Sequence, residues 1–92
     1  MKIAHLREKI DKIDQHILTL LNSRLLVAKE IGQIKQKLDQ PIRNTAREKE
    51  LIKTLCQYNK GPVSNENLKR IFSEIILASI QLQEKQAESS FP

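Results

Sequence analysis

The sequence predicts an all-α fold of three helices, a long first, a short second and a medium third, in a single domain over residues 1–92. Three observations carry this expectation. Two Gly and three Pro among 92 residues, with 39% apolar and 29% charged types, favour a soluble helical chain over a sheet-rich or disordered one. Apolar residues recur at three- and four-residue spacing, the period of a helix face. The internal breakers fall around Pro41 and at Gly61-Pro62, dividing the chain into three stretches.

The first helix is expected from Leu6 to Leu38, with apolar positions Leu6, Ile10, Ile13, Ile17, Leu20, Leu21, Val27, Ala28, Ile31, Ile34 and Leu38. At 1.5 Å per residue it would span about 50 Å, longer than a compact globule of this size is wide. Either it breaks near Gly32 or it packs against another chain. The shortage of partner surface within one chain favours the second. Pro41 ends helical geometry near Gln40. A second helix begins near Thr45, where Thr45-Ala46-Arg47-Glu48 fits a capping box, continues through Leu51, Ile52 and Leu55, and stops around Tyr58 to Asn59. For the third, Ser64 serves as N-cap and Glu66 suits the first turn. Leu68, Ile71, Phe72, Ile75, Ile76 and Leu82 carry the face to about Gln86, leaving 87–92 as a frayed tail.

A formal net charge of +5 is compatible with nucleic acid, an anionic membrane surface or a small polyanionic substrate, and does not choose among them. No stretch approaches the roughly 20 apolar residues of a membrane span, and Met1 to Ile10 lacks the apolar run of a signal peptide. The single Cys56 forms no internal disulfide, and His5 and His16 have no third ligand at metal spacing. The expectation is a cytoplasmic protein without metal or cofactor.

Polar residues interrupt the apolar faces. Arg24 stands on the heptad line Ile10, Ile17, Arg24, Ile31, Leu38, and Lys35, eleven residues on, lies only about 20° around the helix from it. Two cations therefore share an inward direction, and each needs a carboxylate, water or an anionic ligand. Glu48 faces the same side as Ile52 and Leu55, while Ser79 and Gln83 flank the direction of Phe72. Each has a plainer reading. Arg24 could be a structural ion pair, Lys35 a solvated flank, Glu48 a cap, Ser79 and Gln83 core hydrogen-bonders, and Arg7 a surface residue.

With these residues in hand, the sequence resembles the small, dimeric, three-helix type of the all-helical chorismate mutase family. The opening Leu6-Arg7-Glu8-Lys9-Ile10-Asp11-Lys12-Ile13-Asp14, then Arg24, Gly32-Gln33-Ile34-Lys35 and Pro41-Ile42-Arg43-Asn44-Thr45-Ala46-Arg47-Glu48, carry the likeness, with Ser79 and Gln83 in the third helix. It covers about Leu6 to Gln86. The resemblance implies an intertwined homodimer that rearranges chorismate to prephenate, an isomerase of aromatic amino acid biosynthesis. It further implies that Arg24 and Lys35 of one chain, with Arg7 of the other, bind the two carboxylates of chorismate. Lys35 and Gln83 would address the ether oxygen, Glu48 would hold the ring hydroxyl, Arg47 would support the wall, and Ser79 would sit beside a carboxylate. A departure occurs at Asn44, where the best-known members carry Asp. Asn44 keeps the capping and hydrogen-bonding capacity without the charge, which touches substrate preference more than the reaction.

The nearest alternative is an isochorismate pyruvate-lyase, which shares the fold; the Arg47-Glu48 pair and the connection around Pro41 favour the mutase. A mutase acting on aminodeoxychorismate or another small dicarboxylate stays open. A basic nucleic-acid-binding module fits less well, because the Lys and Arg residues are dispersed and two of them lie on an apolar face. A purely structural dimerisation bundle would have a pocket with no affinity for a dicarboxylate.

Overall fold

The structure, a computed structural model, describes residues 2–89 and consists of α1 (Lys2–Lys37), α2 (Thr45–Tyr58) and α3 (Asn65–Ser89). The helix α1 passes through Gly32 unbroken. It closes in a Schellman motif, where Gln40 N donates to Lys35 O at 2.8 Å and Asp39 N to Gln36 O at 3.2 Å. Asp39 takes the left-handed conformation this closure demands, with φ of 53°.

The N-cap of α2 is Asn44 rather than Thr45: its Oδ1 accepts from Arg47 N at 3.0 Å. This shifts the cap by one residue and takes Glu48 out of the capping box, because the amide in bonding register with Asn44 is that of Arg47. At the other end Asn59 organises the turn, accepting from Gly61 N at 2.9 Å and donating to Val63 O at 2.8 Å. Ser64 caps α3 as expected, with Oγ accepting from Asn67 N at 3.1 Å. The helix runs to Ser89, three residues past its expected end at Gln86, with Ala87 half-buried. Of the expected tail over 87–92, the first three residues are therefore helical, and 90–92 lie outside the described residues.

Both α1 and α2 pack on α3. The contacts Arg24 to Ser79 and Ala28 to Gln83 share one sequence offset, so α1 and α3 run parallel. The buried apolar residues are Ala28, Ile76 and Ile80, on the strip where these two helices meet. The molecule measures 57 × 29 × 15 Å with a radius of gyration of 16.6 Å, against about 12 Å for a compact chain of this length. The first half of α1, residues 2–20, is exposed along its whole length. Ile3, Ile10, Ile17 and Ile31 stand in one exposed heptad line and Leu6, Ile13, Leu20, Val27 and Ile34 in another, the spacing of a coiled-coil seam.

Candidate active site

A cavity of about 420 Å³ opens where α1, the 38–44 connection, the start of α2 and the second half of α3 converge. From α1 it takes Arg24, Val27, Ala28, Ile31 and Lys35, positions one turn or two apart on a single face. The connection adds Ile42 and Asn44, α2 adds Arg47, Glu48 and Leu51, and α3 adds Ile76, Ser79, Ile80 and Gln83. Seven of the eight residues singled out in the sequence therefore line one space. Another hollow of about 500 Å³, between α2 and α3, is lined by Lys49, Lys53, Cys56 and Lys69 among others and holds none of the eight. Chemistry, not size, separates the two.

The polar groups are held by hydrogen bonds within the chain. Arg24 Nη1 donates to Ser79 Oγ at 2.8 Å, and that hydroxyl donates in turn to Ile75 O at 3.2 Å. Ser79 is thus engaged as acceptor and donor, and serves to orient Arg24. Lys35 Nζ donates to Ile42 O at 2.9 Å, leaving two ammonium protons for other partners. Gln83 is buried at 8% exposure, and its Nε2 donates to Ala28 O at 2.6 Å. A carbonyl only accepts, so the amide must present its NH₂ end there, with a second N–H to offer.

Arg43 grips Glu48 in a bidentate ion pair, Nη2 to Oε1 at 3.1 Å and Nε to Oε2 at 3.2 Å. Among the described residues, Arg24, Lys35 and Arg47 meet no carboxylate within ion-pair distance. Three cations thus line the cavity, while its one carboxylate is already matched from outside the lining. The field favours a compact anion with more than one negative group.

Arg7 lies elsewhere. Seventeen residues before Arg24 on one straight helix, it stands about 25 Å up α1 from the cavity of its own chain. The sequence reading took Ala28 only as an apolar position and Gly32 only as a possible break in the first helix, and gave none of Arg43, Ala28 and Gly32 a part in the site. Arg43 and Glu48 are five residues apart across a helix start, so no helical periodicity pairs them. The capping-box pattern drew Glu48 toward the backbone instead.

A family profile described as chorismate mutase type II matches residues 6–84. A bifunctional chorismate mutase/prephenate dehydratase of Aquifex aeolicus (strain VF5) is 41% identical over 88 residues, which are 91% of this chain and 24% of that protein. The chain thus spans about a quarter of that relative's length. Among solved structures, chorismate mutase (form II) from Thermus thermophilus superposes with a TM-score of 0.92 at 35% identity, covering 94% of this chain and 98% of that one. Chorismate mutase from Helicobacter pylori in complex with prephenate gives a TM-score of 0.87 at 32% identity, covering 98% and 97%.

Proposed function

The chain belongs to the chorismate mutase type II family, and we propose that it converts chorismate to prephenate in two sites of a homodimer, each built from both chains. The observation that carries the reading is the convergence of Arg24, Lys35, Arg47, Glu48, Ser79 and Gln83 on one cavity whose cations meet no carboxylate among the described residues.

Chorismate is a compact dianion whose carbon–oxygen bond breaks while the enolpyruvyl carbon joins the ring, so no nucleophile is needed. Arg24 binds one carboxylate, its guanidinium aimed by Ser79. Lys35 and the Arg7 of the other chain complete the clamp, bringing the reacting carbons together in a chair-like geometry. As the bond stretches, the ether oxygen gains negative charge, and Lys35 and the free N–H of Gln83 donate to it. Those donors are already fixed to Ile42 O and Ala28 O, so little reorganisation accompanies the step. Glu48, steadied by Arg43, accepts from the ring hydroxyl, with Asn44 and Arg47 on the same wall.

Surface area and register support the dimer. The chain exposes 7923 Å² at 10.6 kDa, against about 5,500 Å² for a compact monomer of that mass. The excess is of the size an obligate homodimer buries. Two copies of α1 laid antiparallel so that its two exposed apolar lines face each other, Ile10 against Val27 and Ile17 against Leu20, set Arg7 across from Glu30, within two turns of Arg24 and Lys35 of the other chain. The cytoplasmic location expected from the sequence belongs to the same proposal.

The test is product identification. The protein incubated with chorismate is expected to yield prephenate; with isochorismate, release of pyruvate in place of any chorismate turnover would overturn the assignment in favour of a lyase.

A further inference from the structure

We propose that Gly32 is a positioning residue for Gln83: its missing side chain lets α3 approach α1 closely enough for the Gln83 amide to reach the Ala28 carbonyl and keep its second N–H for the substrate. The inference rests on the reading of Gln83 as a donor to the ether oxygen. A Cβ built on Gly32 would stand 2.8 Å from Gln83 Cγ and 3.3 Å from both its Cβ and Cδ. The crowded atoms are the root and middle of the side chain, so swinging its tip away gives no relief. Either Gln83 leaves its rotamer or α3 retreats, and both lengthen the 2.6 Å bond to Ala28 O.

Nothing in the backbone calls for glycine at this position. Gly32 lies inside the continuous α1 and is not in the left-handed region, where Gly61 is. Helix propensity favours Ala there. Ala28, one turn earlier, is also small, so the two residues form a notch that receives Gln83, and the Ala28 carbonyl at the floor of the notch sets which end of the amide points inward.

Turnover by wild type, Gly32→Ala, Gln83→Ala and the double variant, each checked for helicity and oligomeric state, tests this. Gly32→Ala is expected to lower kcat about 10- to 100-fold with KM within about threefold, the scale of misplacing a transition-state donor. In the Gln83→Ala background, where the amide and the crowded Cγ are gone, the same change is expected to alter kcat less than about twofold. An equal factor in both backgrounds overturns the inference while leaving the donor reading intact. A Gln83→Ala variant with full turnover removes the donor reading, and the inference with it. Independently of any variant, scalar coupling between Gln83 Nε2 and the Ala28 carbonyl carbon is expected in the labelled wild-type protein by NMR. Its absence overturns the inference even if Gly32→Ala fails to fold.

Discussion

In the proposed function Lys35 and Arg43 divide the chemistry of the cavity between charge stabilisation and posture. Lys35 has spare ammonium protons beyond its bond to Ile42 O. If it meets the departing oxygen, its loss is felt mainly in the transition state. Lys35→Ala is expected to lower kcat about 100-fold or more at saturating chorismate, as removal of an oxyanion-type donor does elsewhere; near-normal turnover would contradict the role. Arg43 is not on the cavity wall, and its side chain is 57% exposed while that of Glu48 is 19% exposed. An ion pair so placed adds little stability. Its consequence is the fixed aim of the Glu48 carboxylate. Arg43→Ala should therefore raise KM for chorismate about three- to tenfold with the melting temperature almost unchanged. Arg43→Lys should not rescue it, since a single ammonium cannot reproduce a bidentate fork. Steady-state kinetics on the two variants separates posture from charge.

At the scale of the elements, the helix ends decide how the site is framed. The C-terminus of α1 closes through Asp39 in the left-handed region, a conformation that glycine adopts without strain and that also places a negative charge at the wrong end of a helix dipole. Asp39→Gly is expected to stabilise the fold by about 0.5–1 kcal/mol, read as a rise in the denaturant midpoint at constant slope. The number, order and relative lengths of the three helices were legible in the apolar spacing, and Ser64 was legible as a cap, but α1 begins at Lys2, four residues before the expected Leu6. The cap of α2 was not: Asn44 and Thr45 are adjacent residues that both cap well, and only the path of the chain arriving from Pro41 puts the Asn44 side chain in reach of the Arg47 amide. The end of α3 was likewise hidden, because the half-buried Ala87 carries no sequence signal of the surface that shelters it.

As a whole molecule, a single chain has too little inside it. Among the described residues three apolar ones are buried, while Ile10 and Ile17 remain 55% and 48% exposed on a helix more than thirty residues long. A lysine in the middle of that seam should leave the helices formed but unpaired. Ile17→Lys is expected to sediment as a monomer at micromolar concentration and to lose activity in step with dissociation; an active monomer would separate the sites from the dimer. Shared sites make a sharper forecast. On the proposed shared sites, Arg7→Ala and Lys35→Ala would each disable both sites of their own dimer, but a mixed dimer would keep one site with neither change. Subunit exchange of an equal mixture should recover about a quarter of wild-type activity by random pairing, and no recovery would mean that Arg7 does not act across the interface.

The sequence by itself determined the three helices, the cationic character of one inward face and the family likeness, because each of these is written within a few turns of one helix, where backbone geometry makes residue spacing a direct reading of direction. It also exposed the problem of α1, too long for one chain. What only the tertiary structure decided were the partners: Ser79 for Arg24 and Ala28 for Gln83, each 55 residues apart in the chain, Arg43 for Glu48 across a helix start, and the space that Gly32 leaves. Those contacts depend on how closely and in what register two helices dock. That is fixed by side-chain volume across the interface, which no periodicity within either helix records.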